Sequence, residues 1–276
     1  MLKMRSPAKV NLFLRILRKR SDGYHELASL MQAISLCDQI SYEPSSTDSL
    51  TSTSPLLPVD RKNLIWKAVD LFRKNTGRQQ GLTIHLEKKI PLEAGLGGGS
   101  SNAATTLWAL NLLFDTQLSK ETLADWGAQI GSDVPFFFSQ GTAFCTGRGE
   151  KVRDLPAFPA TTLSLFKPND GLSAAAVYGN LDLNDVRSSD PEELLDQFLS
   201  GKPCYMNDLE PPAFKLLPKL ALLKEQIEVG GADAVLMSGS GTTFFAPIEF
   251  PKKLSFLYPL WTEKSHFLNR SIYSWY

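Results

Sequence analysis

Apolar and polar positions alternate first where Val10, Leu12, Leu14 and Ile16 fall on one face, a period of two that predicts a strand. The Asp22-Gly23 pair marks a turn, and Glu26 to Leu36 returns as a second mixed apolar element. The stretch from Pro44 to Pro58 is rich in Ser, Thr and Pro, which predicts a surface loop outside the core. Asn63 to Lys74 spaces Leu64, Ile65, Ala68, Val69, Leu71 and Phe72 as a helix, and Leu82 to Leu86 alternates as a strand. From Ala94 to Phe114 there is no charged residue. Its glycines, Ser100, Ser101, Asn102, Thr105 and Thr106 do not suit lipid, so the pattern predicts a buried helix over about 100–114. A second helix follows over 119–130, with Ser119 as its N-cap.

Phe136-Phe137-Phe138 and Thr142 to Cys145 read as short buried elements. Pro156 and Pro159 bracket a junction, dividing the chain into lobes at 1–155 and 156–276. Beyond it the pattern predicts a strand over 161–166, a short helix over 173–178 and a helix over 191–199 led by Asp190 and Pro191. Residues 213–229 read as helix, kinked or broken at Pro218. Two strands, 234–237 and 243–246, flank Gly239-Ser240-Gly241. Strands and helices mix without regular alternation, so the fold class is α+β in two lobes.

Composition narrows the function. The 276 residues carry 29 Lys+Arg and 29 Asp+Glu, a formal net charge of zero, which argues against a general nucleic-acid binder. Cys37, Cys145 and Cys204 are isolated and match no metal or redox spacing, which fits a reducing compartment. The opening residues hold no apolar run of signal-peptide length, so the expected location is cytoplasmic.

The strongest chemical signal is Pro91-Leu92-Glu93-Ala94-Gly95-Leu96-Gly97-Gly98-Gly99-Ser100-Ser101 running into the uncharged helix. Glycines let the backbone approach a ligand, and free N–H groups at a helix start attract anions. Two hydroxyls follow, so a polyphosphate is the natural guest. The Walker and dinucleotide patterns both fail here. A linker or tight turn is the bland alternative, but a linker would not lead into such a helix.

This loop resembles the second motif of the GHMP kinases. Ser6-Pro7-Ala8-Lys9-Val10-Asn11-Leu12 resembles the first, and Leu236 to Ala246, around Gly239-Ser240-Gly241, the third. The resemblance implies a two-lobed fold, with an N-terminal lobe like ribosomal protein S5 domain 2 and a ferredoxin-like α/β C-terminal lobe. It implies ATP as co-substrate, phosphates held by Pro91 to Ser101, and the purine near Asn63 and Leu64. Asp22-Gly23-Tyr24-His25, Ile130 to Phe137 and Asn207 to Glu210 resemble a branch that phosphorylates the 2-hydroxyl of a cytidine-diphosphate-linked methylerythritol, in the non-mevalonate route to isoprenoids.

Within that resemblance Asp133 is the general base and Lys9 its cationic neighbour. By sequence alone, Asp133 could equally be a helix N-cap and Lys9 a solvated lysine. Tyr24 and His25 would serve the cytosine, with Tyr178 sandwiching it from the other side; on bare sequence, Tyr24 and His25 are exposed residues after a turn. Asn11 would touch the hydroxyl-bearing end and Ser173 the diphosphate. Lys88 or Lys89 reaches the nucleotide or is solvated. No acidic metal cluster stands out, so Mg²⁺ would ride on the nucleotide. The expected partner is the small cytidyl substrate, with no nucleic acid, membrane or obligate protein. A homoserine kinase-like enzyme and a non-catalytic binding module on the same fold are the rival readings. The tail from Phe250 to Tyr276 matches no motif.

Overall fold

A computed structural model describes residues 1–186, 189–249, 256–272 and 274–276. The alternating N-terminal segment forms a long strand, β1 (Leu2–Lys19), which pairs antiparallel with β2 (His25–Ser45) from Leu2↔Tyr42 to Lys19↔His25. Strands β3 (Ser49–Ser52) and β4 (Gly81–Glu87) extend that sheet beyond β2, while β5 (Thr142–Gly147) pairs with another part of β2 and carries β6 (Lys151–Asp154). A second sheet has the order β11-β7-β10-β9, built from β7 (Thr162–Pro168), β9 (Leu236–Met237), β10 (Phe244–Ala246) and β11 (Leu260–His266). The two-residue β8 (Met206–Asn207) runs parallel to β1, so strand pairing crosses the Pro156 junction.

Three helices pack with the first sheet: α1 (Leu64–Thr76), α2 (Gly98–Leu113) and α3 (Lys120–Ile130). Ile65, Val69 and Phe72 of α1 share a core with Ile84, Leu86, Leu107 and Leu110. Helix α2 is uncharged on every side because it is enclosed: Ser101 to Leu107 are all buried. Its polar residues are tied inside, as where Thr106 bonds Asn102 O at 2.7 Å and the Tyr42 hydroxyl at 2.9 Å. Ser119 caps α3 through Thr122 N, as its position predicts. In the C-terminal half stand α4 (Ala174–Gly179), α5 (Pro191–Leu199), α6 (Glu210–Leu216) and α7 (Lys219–Val229).

One expectation changes, and two elements gain detail. The 44–58 stretch is not wholly outside the core, since β3 lies within it and Leu50 is buried. Asp48 anchors it, accepting from Arg73 at 2.7 Å, Arg61 at 2.8 Å and the Leu82 amide at 3.1 Å. The 213–229 stretch is broken at Pro218, one of the two outcomes its sequence allows, into α6, which starts already at Glu210, and α7. The described residues of the tail beyond β11 leave the second sheet and return to the first half, where Phe267 bridges Ile34.

Candidate active site

Strand periodicity puts Lys9 and Asn11 on the same face of β1, and that face looks into a cavity of about 660 Å³. The Lys9 amide donates to Leu96 O at 3.0 Å, pinning the strand to the glycine loop. Lys9 is only 3% exposed; its Nζ donates to Asn11 Oδ1 at 2.6 Å and pairs with Asp133 Oδ2 at 3.6 Å. Asn11 is held in turn, its Nδ2 donating to Ser29 Oγ at 2.7 Å and that hydroxyl to Phe13 O at 2.7 Å. Asp133 sits on the Gly131–Val134 turn, where Val134 N bonds Gly131 O at 3.1 Å. The short 3₁₀ helix Pro135–Phe138 that follows has no side-chain cap. The N-cap alternative for Asp133 therefore falls, and its one-third exposed carboxylate faces the cavity. The solvated reading of Lys9 falls as well.

The glycine loop closes the cavity beside them. Gly95 has φ +72°, and a Cβ there would lie 2.0 Å from Ser238 O. Gly97 has φ +68°, and its Cβ would press on Lys9 Cγ at 3.0 Å and Phe137 Cζ at 3.1 Å. Only glycine lets loop, strand and helix meet this closely. The first intrahelical bond of α2 is Ser101 N to Gly97 O at 2.9 Å, so the amides of Gly98, Gly99 and Ser100 precede the ladder. Such a first turn attracts a phosphate. The Gly239 turn docks on this loop: Ser238 Oγ donates to Gly95 O at 3.0 Å, and Asn207 Nδ2 donates to Met237 O and Gly239 O, each at 2.7 Å.

At the other end of the cavity, His25 and Tyr178 stack with ring centroids 5.3 Å apart and planes at 24°. The two rings stack on each other here rather than standing apart. Tyr24 is more than half exposed and carries the Arg148 guanidinium 4.9 Å from its ring centre. Burial, and secondarily Lys19, holds the His25 imidazole below its usual pKa. Burial, and secondarily the Asp133 charge, pushes the Tyr178 hydroxyl up.

The cavity thus gathers Lys9, Asn11, Tyr24, His25, Asp133 and Tyr178 with Gly95, Gly97 and Ser100. Other predicted residues serve behind the wall. Ala94 and Leu96 are buried beneath the loop, and Ser101 bonds Ser6 Oγ at 2.8 Å. Asn63 caps α1 through Ile65 N at 3.0 Å, while Leu64 Cδ1 lies 3.3 Å from where a Gly99 Cβ would stand. Ser173 caps α4 through Ala176 N at 3.2 Å, and Ala174 and Ala175 take its place on the wall. Pro91, Leu92, Glu93 and Gly98 are likewise off the cavity wall.

Lys88 is neither solvated nor aimed at a ligand: it is an internal strut, paired with fully buried Asp38 at 2.8 Å. The same carboxylate accepts the Lys89 and Ile90 amides at 2.7 and 2.9 Å and Asn102 Nδ2 at 2.9 Å, bracing the base of the loop.

Sequence reasoning missed Lys19, Ser132, Arg148 and Ser240, all on the cavity wall. Arg148 stood between Gly147 and Gly149, two glycines with positive φ that present it, a signal that was readable. Three cations, Lys9, Lys19 and Arg148, against one carboxylate, Asp133, give the wall a character suited to phosphorylated ligands. Among the described residues, no three His, Cys, Asp or Glu side chains come together as a metal cage, and no helix is long and apolar enough to cross a membrane.

Comparison with known proteins agrees with this fold. Residues 63–141 match the family model of the GHMP kinases N-terminal domain. The 4-diphosphocytidyl-2-C-methyl-D-erythritol kinase of Protochlamydia amoebophila is 46% identical over 276 residues, covering 100% of this chain and 93% of that one. The chloroplastic enzyme of that name from Arabidopsis thaliana is 46% identical, over 100% of this chain and 76% of its own length. A crystal structure of 4-(cytidine 5'-diphospho)-2C-methyl-D-erythritol kinase superposes with a TM-score of 0.80 at 35% identity, covering 96% of this chain and 99% of that one. The homoserine kinase of Cytophaga hutchinsonii shares the fold alone, with a TM-score of 0.70 at 17% identity over 99% of this chain and 98% of its own.

Proposed function

The chain belongs to the 4-diphosphocytidyl-2-C-methyl-D-erythritol kinases of the GHMP kinase superfamily and is an ATP-dependent small-molecule kinase; on that premise we propose that it phosphorylates the 2-hydroxyl of 4-diphosphocytidyl-2-C-methyl-D-erythritol, with Asp133 as general base and Lys9 as its partner. The products are the 2-phosphate and ADP, on the non-mevalonate route to isopentenyl diphosphate. The observation that carries this reading is the Lys9–Asp133 pair, at 3.6 Å, facing the glycine loop across one cavity.

The ATP phosphates lie along Gly95 to Ser100, at the α2 N-terminus, where amides and helix dipole offset their charge. The adenine extends toward Leu64, which packs on Gly99. The cytosine stacks on an outer face of the His25–Tyr178 pair, or between the rings once they part, with Tyr24 beside it. Lys19 and Arg148 face the substrate diphosphate. Asn11 orients the hydroxyl, and Asp133 takes its proton as oxygen attacks the γ-phosphorus and the bond to the β-phosphate oxygen breaks. Lys9 offsets negative charge on the phosphoryl group in transit. Mg²⁺ would arrive on the nucleotide and would screen its phosphates. The enzyme works in the cytoplasm, where its three free cysteines stay reduced, and needs no obligate protein partner.

The test is ATP-dependent turnover of the cytidyl substrate by purified protein, with homoserine and mevalonate in parallel and phosphorus NMR of the products. A new phosphomonoester on the cytidyl substrate alone is expected. Transfer to homoserine or mevalonate instead would overturn the substrate assignment.

A further inference from the structure

The C-terminal tail has no part in the chemistry above, yet it binds the segment that carries Asp133. Beyond β11 the chain crosses to the first half, where Leu268 N donates to Ala33 O at 2.8 Å. Three consecutive carbonyls at the end of the Pro135–Phe138 helix then accept from the tail. Arg270 Nη2 donates to Phe138 O, the Tyr276 hydroxyl to Ser139 O at 3.3 Å, and the Arg270 amide to Gln140 O at 3.0 Å.

The guanidinium is itself fixed. Arg270 is buried, its Nη1 donates to Ser274 O at 2.7 Å, and its Cζ lies 5.3 and 5.1 Å from the Trp275 and Tyr276 ring centres. Trp275 stacks on Trp108 of α2 at 5.6 Å, meets Phe138 edge-on at 5.6 Å, and donates through Nε1 to Arg5 O at 3.0 Å.

The braced segment is one continuous turn. Val134 N bonds Gly131 O, Phe137 N bonds Val134 O and Ser139 N bonds Phe136 O, at 3.1, 3.2 and 2.9 Å. Asp133 stands at its start, the tail holds its end, and Phe137 in its middle abuts Gly97 of the phosphate loop. A shift at Phe138–Gln140 is therefore passed to the carboxylate and the loop together. Carboxylate, hydroxyl and phosphate must meet within a fraction of an ångström, so such a shift acts on turnover.

We propose that Arg270, with the Trp275–Tyr276 pair behind it, is a positioning element that sets the Asp133 carboxylate for proton removal. The proposal rests on Asp133 being the base. No described residue of the tail lines the cavity, so it acts through the backbone carbonyls it satisfies.

The test combines kinetics of Arg270→Lys and Tyr276→Phe with a double-mutant cycle against Asp133→Asn. Tyr276→Phe keeps the ring and loses one hydrogen bond, so it stands in if Arg270→Lys does not fold. Arg270→Lys is expected to lower kcat about tenfold with both KM values within about twofold, and Tyr276→Phe to do the same more weakly. In the Asp133→Asn background the same changes should cost less than about twofold, because the group they position is gone. Equal losses in both backgrounds, an unchanged kcat, or a rise in both KM values with kcat intact would each overturn the proposal. Near-normal turnover of Asp133→Asn alone would instead remove the base assignment, a failure read separately from the tail variants.

Discussion

The Lys9 ammonium donates to Asn11 Oδ1 at 2.6 Å while standing 3.6 Å from the Asp133 carboxylate. One buried cation thus touches both the group proposed to orient a hydroxyl and the group proposed to deprotonate it. Loss of the cation should fall on the chemical step. Lys9→Ala is expected to lower kcat by about two to four orders of magnitude, measured by coupled ADP release. Lys9→Arg should not restore it, because the Lys9 chain lies against the Gly97 and Gly239 backbone, leaving no width for a guanidinium fork. Wild-type turnover in Lys9→Arg would contradict that packing argument.

His25 should separate the two ligands. His25→Ala is expected to raise KM for the cytidyl substrate about tenfold while KM for ATP stays put, since His25 pairs with Lys19 at the hairpin end of β1 whereas the glycine loop meets β1 at Lys9. Equal losses for both ligands would argue against a cytosine site there.

The same imidazole predicts a pH dependence. Its folded pKa is lowered, so the neutral ring persists below the pH at which a free histidine is half charged, about 6.5. The unfolded chain therefore takes up this proton first, and His25 costs stability as pH falls below about 6.5, with no effect above it. Thermal melts from pH 8 to 5 should show a shallower acid-side decline in His25→Gln than in the wild type.

Asp48 supplies the opposite sign. Arg73, then Arg61 and the Leu82 amide, hold its carboxyl down to about 2, against an unfolded value of 3.8. A depressed carboxylate contributes stability above the unfolded value and loses it as pH falls through the folded one. About 2 kcal/mol should therefore disappear between about pH 4 and pH 2, and Asp48→Asn should lack that step in acid denaturation. An identical acid transition in wild type and variant would contradict it.

Gly95→Ala tests the loop itself. A Cβ at φ +72° and 2.0 Å from Ser238 O must push the Gly239 turn away. The variant should melt lower, with a left-handed-backbone cost of about 1–2 kcal/mol before any clash, and should bind ATP more weakly by titration calorimetry. Unchanged melting and binding would mean the loop has freedom that this packing denies.

What was legible in the sequence was local. The glycine run, the Lys9-Val10-Asn11 strand and the Gly-Ser-Asp-Val-Pro turn each declare themselves within a few residues, and all three meet at the cavity. Helix α2 was legible because a helix buried along most of its length, from Ser101 to Leu107 and from Ala109 to Asn111, leaves no place for a charge. What depends on distant partners was hidden. Lys88 looked free because Asp38, which neutralises it, lies 50 positions away. The 44–58 stretch looked like loop by composition, yet Asp48 and its arginines tie β3 against β4. Beyond β11 the tail carries no periodicity, because its described residues are held by one buried arginine and by aromatic contacts rather than by a regular element.

In the proposed mechanism Asp133 removes the proton in a site otherwise complete without it. Single-turnover phosphoryl transfer by Asp133→Asn, with ATP and substrate affinities measured in parallel, tests this directly. The rate should fall by about two to four orders of magnitude with both affinities retained. A rate near that of the wild type would contradict it.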